Sequence, residues 1–317
     1  MKCKWIKKLT AGIIFLAAVG SLSGCQKAAT SENLFRDIEV NMTSVESAEE
    51  NQIVKLQMGD GDSAISQESN LDIEMTRNPA AVHRKGQQKT NMAGTKETQE
   101  MESYQVEEDG KTVIYSGTDE AWEKNAVEEK ETSSQQTVLF DGLQNLSGAF
   151  SVSQGLATVN KEECFELTGT ISGTQFQETF ADTLKALLGE DSSDLSGWNL
   201  QASEDEENNE ELQQKLNNVN VDCVIDIYRS NILPAKITFD LTDYLKAAGE
   251  ENAQVTSYTL EVTFVSYNDT KKIKVPKAVK ESAKDNGEDE AENNTDEMLE
   301  EENQEATAEA EAAKGIQ

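Results

Sequence analysis

Histidine is almost missing from this sequence: His83 is the only one in 317 residues. A lone histidine with no partner at metal-ligand spacing is far more often a surface or loop residue than a ligand or a base. Also missing are a nucleophile with its base, a cluster of metal-ligating side chains and a glycine loop built for phosphate. No catalytic, metal or cofactor residue is therefore assigned, and an enzyme is not expected. The abundant carboxylates do not alter this, since no acid pair stands out in an apolar setting that would shift a pKa. Gly59, Asp60, Gly61 and Asp62 faintly resemble a calcium loop. Counting from Asp60, however, puts Ile65 where the turn glycine belongs and Leu71 where the bidentate glutamate belongs, so the stretch reads as a plain turn.

Basic residues are scarce as well. Lys and Arg number 28 against 60 Asp and Glu, and residues 25–317 alone carry 24 basic and 60 acidic groups, a net charge of −36. Such a charge repels nucleic-acid phosphates and anionic lipid headgroups alike, since both need basic patches, and nucleic acid is not an expected partner. The chain's acidity suits solubility and attraction to cations or basic partners. Nothing in the sequence identifies a protein partner. Aromatics make up only 6% of residues.

A long hydrophobic run is missing too. The apolar stretch Leu9–Leu22 has about 14 residues, short of the roughly 20 that span a bilayer as a helix. It follows Lys2, Lys4, Lys7 and Lys8 and ends in small residues, the layout of an export signal. Its end, Leu22, Ser23, Gly24 and Cys25, matches in full the lipobox of bacterial lipoprotein signal peptides. That resemblance implies diacylglyceryl transfer to the Cys25 sulfur, cleavage before Cys25, and a palmitate-type lipid anchor on the extracytoplasmic face of the cell membrane. Two acyl chains give stable attachment, at about 0.8 kcal/mol per buried methylene, where one gives only marginal binding. The organisation expected is a signal peptide over 1–24, a lipidated tether over 25–33, one folded domain over 34–280, and a tail over 281–317. The tail holds fourteen acids, two lysines and no aromatic, too little apolar surface to offset chain entropy, so it is expected to be disordered.

Of four cysteines, Cys3 leaves with the signal and Cys25 carries lipid, leaving Cys164 and Cys223. An even pair outside the cytoplasm makes them candidates for a disulfide. Yet Cys223 alternates with Val221, Ile225 and Ile227, whereas Cys164 alternates with Glu166 and Thr168, opposite Phe165 and Leu167. A cross-strand bridge needs one shared face. A disulfide and two buried free thiols both remain open.

Periodicity predicts strands over 35–43, 53–58 and 71–77, the last alternating Leu71, Ile73, Met75 with Asp72, Glu74, Thr76. Residues 101–107 and 112–116 read as a hairpin turned by Asp109 and Gly110, followed by Trp122 on a short strand. A short amphipathic helix is predicted over 138–150, strands over 164–169 and 170–176, and then a helix carrying Phe176, Phe180, Leu184, Leu187 and Leu188 that stops at Gly189. Strands over 219–228, 235–241 and 255–265 complete the pattern. On the last of these Tyr258, Leu260, Val262 and Phe264 share a face opposite Thr259, Glu261 and Thr263, which argues for an antiparallel sheet with one covered face.

The order of these features resembles the LolA-like lipoprotein superfamily that includes LppX and LprG. The likeness runs from the strand before Pro79, through the hairpin with Gly110 and Tyr115, Trp122 and the strand Cys164, Phe165, Glu166, Leu167. It ends with Ile225, Asp226, Ile227, Leu233, Pro234, Phe264, Tyr267, Asn268 and Ile273, Lys274, Val275, Pro276. The resemblance implies an α+β fold: a curved antiparallel half-barrel sheet whose concave face is covered by helices and holds acyl chains. It makes Phe176, Phe180, Leu184, Leu187, Leu188, Tyr258, Leu260, Val262 and Phe264 candidate ligand-binding residues. The function it implies is binding or carrying a lipid or other apolar molecule; the alternative is a cell-envelope interaction or scaffold module with no ligand cavity.

Overall fold

The computed structural model describes residues 29–59, 64–118, 121–127, 143–188, 212–248 and 254–285, and the side chains of 127, 181–188 and 285 are outside that description. The lipobox with Cys25 and the tail beyond Asp285 also lie outside the described residues. Among the described residues twelve strands form one sheet: β1 (Ser47–Met58), β2 (Ile65–Arg77), β3 (Ala80–Met92), β4 (Thr95–Glu108), β5 (Lys111–Thr118), β6 (Ala121–Val127), β7 (Phe150–Val159), β8 (Glu162–Ser172), β9 (Asn220–Tyr228), β10 (Pro234–Asp240), β11 (Val255–Tyr267) and β12 (Ala283–Asp285). The order across the sheet is β12-β6-β5-β4-β3-β2-β1-β11-β10-β9-β8-β7. Two meanders, β1 to β6 and β7 to β11, are thus joined where β11 pairs with β1, and only the short β12 runs parallel to its neighbour β6. The helices are α1 (Ser31–Met42), α2 (Leu143–Leu146), α3 (Gly173–Leu188), α4 (212–216), α5 (Thr242–Ala248) and α6 (Lys277–Ser282). The α+β class with a large, mostly antiparallel sheet and helices on a covered face is as the sequence predicts.

Tight turns set the strand registers. Ala93 and Gly94 (φ 49° and 84°), Asp109 and Gly110 (52° and 79°), and Asn160 and Lys161 (51° and 70°) are pairs of left-handed residues. Such pairs match the twist of a two-residue hairpin. Gly169 meets a different demand: a Cβ there would stand 2.6 Å from the Phe150 ring, which lies across it. That ring in turn meets Phe35 of α1 edge-on, with centroids 5.2 Å apart.

The sheet has two unlike faces. The inner face, defined by Leu167, Val221, Ile225, Ile237, Leu260 and Phe264, builds the main core together with Phe35 and Ile38 of α1, Phe176 and Phe180 of α3, and Tyr244 and Leu245 of α5. On the outer face of β3 to β6 a second core gathers Tyr104, Val106, Val113, Tyr115 and Trp122 under Ile273 and Val279. The chain reaches it by turning at Asn268 (φ 63°), whose side chain accepts a hydrogen bond from the Glu46 backbone N–H at 2.7 Å. Residues 269–285 then strap the outer face and end as β12 against β6.

Several expectations are corrected. Residues 35–43 are not a strand: Leu34, Phe35, Ile38 and Met42 form a helical stripe, and the Thr30 side chain caps α1 by accepting from Asn33 N–H. Residues 170–176 are not one strand, because β8 ends at Ser172 and α3 begins at Gly173. A Cβ at Gly173 would come within 2.7 Å of the Leu216 carbonyl oxygen, so the glycine permits this abrupt change. The helix predicted over 138–150 is confined, among described residues, to α2 and a following 3-10 turn, and Phe150 already opens β7.

The candidate disulfide is also absent: Cys164 and Cys223 are both buried free thiols. On the β8–β9 ladder Cys164 faces Tyr228 while Cys223 faces Gly169. Five register positions amount to roughly 17 Å along the strands, far beyond disulfide reach. They also point to opposite faces, Cys223 into the main core and Cys164 into a small outer cluster with Val159, Tyr228 and Ala235.

Candidate ligand-binding site

The inner face is assembled by register. Val262 pairs with Ile237 and Leu260 with Phe239 across β11 and β10, and Ile237 pairs with Ile225 and Phe239 with Cys223 across β10 and β9. Paired residues share a face, so apolar side chains of three strands form one wall. Helix α3 lies on it through Phe176 and Phe180, one helical turn apart. Their rings contact Phe239 at centroid distances of 5.3 and 5.0 Å, and Phe176 meets Tyr244 at 5.0 Å. Six of the nine candidate residues, Phe176, Phe180, Tyr258, Leu260, Val262 and Phe264, therefore belong to a single buried cluster. Leu184, Leu187 and Leu188 continue α3, but their side chains lie outside the described residues.

One strand further, the wall changes character. Leu56 and Val54 of β1 stand opposite Tyr258 and Leu260, but Gln52 stands opposite Val262 and Glu50 opposite Phe264. Both polar side chains are covered: Glu50 is 2% exposed and Gln52 1%. Among the described residues neither Glu50 carboxyl oxygen has a hydrogen-bond partner, nor has Gln52 Oε1. Burial pushes the Glu50 carboxyl up to about 7, with the charge of Arg84 opposing the shift. Arg84 shares the face, because Glu50 pairs with Ile73 of β2 and Ile73 pairs with Arg84 of β3. Burial lowers the guanidinium pKa, and the Glu50 charge raises it. Around this group Leu71, Ile73, Met75 and Val82 form a small apolar cluster of their own.

Sequence reading missed Glu50 and Gln52. The signal that could have found them is their place in the alternation Ala48, Glu50, Gln52, Val54, Leu56, in which polar residues occupy two inward positions. His83, by contrast, is on the outer face of β3 and not in a loop. Its Nε2 lies 2.9 Å from Glu102, its Nδ1 3.5 Å from Glu74, and its ring stacks on Tyr104 at 4.3 Å. Burial works to raise the Glu102 pKa, but hydrogen bonds from His83, Lys85 and Tyr104 outweigh it and hold the carboxyl below its usual range. Among the described residues no group of three or more His, Cys, Asp or Glu is placed to hold a metal ion, and no helix is long and apolar enough to cross a membrane.

Residues 30–284 match a family described as a family of unknown function, DUF6612. No curated protein matches the chain. Among solved structures it is similar to LprF from Mycobacterium bovis, at 11% identity over 78% of this chain and 96% of the other, with a TM-score of 0.41. It is similar to the lipoprotein LppX of Mycobacterium tuberculosis at 12% identity over 77% and 98%, again with a TM-score of 0.41. A LolA superfamily protein from Nitrosomonas europaea aligns at 8% identity over 80% and 97%, with a TM-score of 0.22.

Proposed function

This chain belongs to DUF6612, a family of unknown function, and we propose that it is a membrane-anchored, extracytoplasmic lipoprotein that binds or carries a lipid or other hydrophobic ligand and catalyses no reaction. The observation that carries this reading is the construction of the inner face: an apolar wall across β9, β10 and β11 roofed by separate helices. A helix satisfies its backbone hydrogen bonds internally, so α3 can move outward and admit an apolar chain without breaking a sheet ladder. By their helical spacing from Phe176 and Phe180 in the sequence, Leu184, Leu187 and Leu188 are proposed to line the ligand together with Tyr258, Leu260, Val262 and Phe264. Lipid on Cys25, after the lipobox Leu22, Ser23 and Gly24, supplies the anchor. From Cys25 to the start of α1 at Ser31 the chain spans at most about 20 Å, which would keep the ligand site beside the bilayer.

Two variants test the reading. Cys25→Ala should abolish incorporation of labelled palmitate, which the wild-type chain should take up. Leu184→Asp should abolish uptake of the apolar fluorophore N-phenyl-1-naphthylamine while the far-ultraviolet circular dichroism spectrum is kept; a folded variant that still takes up the dye contradicts the placement of α3. The dense ring cluster of Phe176, Phe180, Phe239 and Tyr244, with none of the four more than 2% exposed, favours a second reading. In it the inner face is a filled core and the acidic domain is a cell-envelope scaffold or interaction module.

A further inference from the structure

The inner face of β1 is divided along its length. Val54, Leu56 and Met58 pack against the main core, whereas Glu50 and Gln52 are as deeply covered yet leave three acceptor atoms, both Glu50 oxygens and Gln52 Oε1, without a donor among the described residues. Buried polar atoms are nearly always paired, and each unpaired one is costly. Two such residues at i and i+2 on one face of one strand, at the end of an apolar row, form a concentrated set of acceptors facing the same space.

We propose that Glu50 and Gln52 hold the hydroxyl groups of an amphiphile whose apolar part lies along the row of Val54, Leu56, Leu260 and Tyr258. This rests on the reading of the inner face as an apolar ligand site and adds the chemistry of the ligand's polar end. Gln52 Oε1 and the ionised form of Glu50 call for donors; a hydroxyl supplies one to each, whereas a carboxylate or phosphodiester headgroup supplies none. Arg84, electrostatically coupled to Glu50 from β3, disfavours a quaternary ammonium headgroup by like-charge repulsion. A hydroxyl is neutral, donates to Glu50 and Gln52, and can accept in return. With its pKa raised to about 7, Glu50 is itself able to act as donor or acceptor near neutrality.

The test uses the unlipidated chain from residue 26 to 317, which contains every described residue, and reads displacement of N-phenyl-1-naphthylamine. The competitors are 1-lauroylglycerol, its hydroxyl-free counterpart methyl laurate, laurate and dodecyltrimethylammonium, each below its micelle concentration. One lost hydrogen bond in a buried site is worth about a tenfold loss of affinity. 1-Lauroylglycerol should therefore compete at least about tenfold better than methyl laurate. That advantage should vanish in Gln52→Leu and in Glu50→Leu, the dye affinity of each variant being measured first and its competition expressed relative to that affinity. Equal competition by the glycerol and methyl esters, a preference for laurate or the ammonium, or an advantage that survives in both variants overturns the headgroup assignment and leaves the apolar site standing. Failure of the wild-type chain to bind dye and all four amphiphiles overturns both. If Glu50→Leu does not fold, Gln52→Leu and the wild-type preference decide the matter alone.

Discussion

Glu50 of β1 stands directly opposite Phe264 of β11, so a buried carboxyl without a hydrogen-bond partner adjoins the last aromatic ring of the main apolar row. The pairing marks the border between two halves of the inner face. On the β11 side the wall is apolar and covered by helices; on the β2 and β3 side it holds Glu50, Gln52 and Arg84 among small clusters of aliphatic side chains.

This border should make stability depend on pH. The Glu50 carboxyl titrates near 4.5 when unfolded and is raised to about 7 in the fold. Between those values the folded state keeps a proton that the unfolded state has lost, so stability falls as pH rises from 4.5 to 7 and levels off above. Glu50→Gln removes the effect. Urea unfolding should show the variant gaining on the wild type by on the order of 3 kcal/mol between pH 4.5 and pH 8. A difference that does not change with pH would mean that Glu50 is paired or solvated.

The two thiols should behave as free and unequal. Denatured without reductant, the unlipidated chain should take up two alkyl groups by mass, and in the native state neither Cys164 nor Cys223 should react quickly, since both are buried. Burial pushes both thiols up from their ordinary value, Cys223 further, so raising pH to 9 should label Cys164 first. A mass two daltons lower that resists alkylation would contradict the register of β8 and β9.

Phe180→Ala should cost about 3–5 kcal/mol, the usual range for removing a buried ring. The ring packs against both Phe176 and Phe239 with centroids 5.4 and 5.0 Å away. Chemical denaturation measures this directly, and a loss under about 1 kcal/mol would show that the roof of the inner face is loosely packed.

The outer strap should be separable from the inner site. Val279 covers the second core, where Lys280 pairs with Glu108 and its ammonium stands 6.0 Å from the centre of the Tyr115 ring. In the unlipidated chain from residue 26 with Trp198 replaced by Phe, which keeps Trp122 as its single tryptophan, Val279→Asp should shift Trp122 emission to longer wavelength, because Trp122 is only 6% exposed beneath the strap. Dye binding on the inner face should persist. Unchanged emission would place Trp122 outside the second core.

The strands that alternate cleanly were legible in the sequence. Tyr258, Leu260, Val262 and Phe264 face inward as their spacing predicts, and the Asp109–Gly110 turn joins β4 to β5. The first element was misread because the alternation around Phe35 resembles a strand, and only the stripe of Leu34, Phe35, Ile38 and Met42 with its Thr30 cap discloses the helix. β3 went unread since its far half, Lys85 to Met92, is polar on both faces and is held by ladders to β2 and β4 more than by any pattern of its own. The polar end of the candidate site was hidden for a related reason. Glu50 and Gln52 look like solvent-facing residues until register with Phe264 and Val262 shows which way they point.

The most direct test is native mass spectrometry of the unlipidated chain, residues 26–317, freshly purified without detergent. The predicted spectrum contains a one-to-one complex with a hydrophobic molecule that organic extraction removes, and the emptied protein then takes up N-phenyl-1-naphthylamine. A spectrum of bare protein alone, from a folded sample that takes up no dye, would contradict the ligand-binding reading and leave the scaffold in its place.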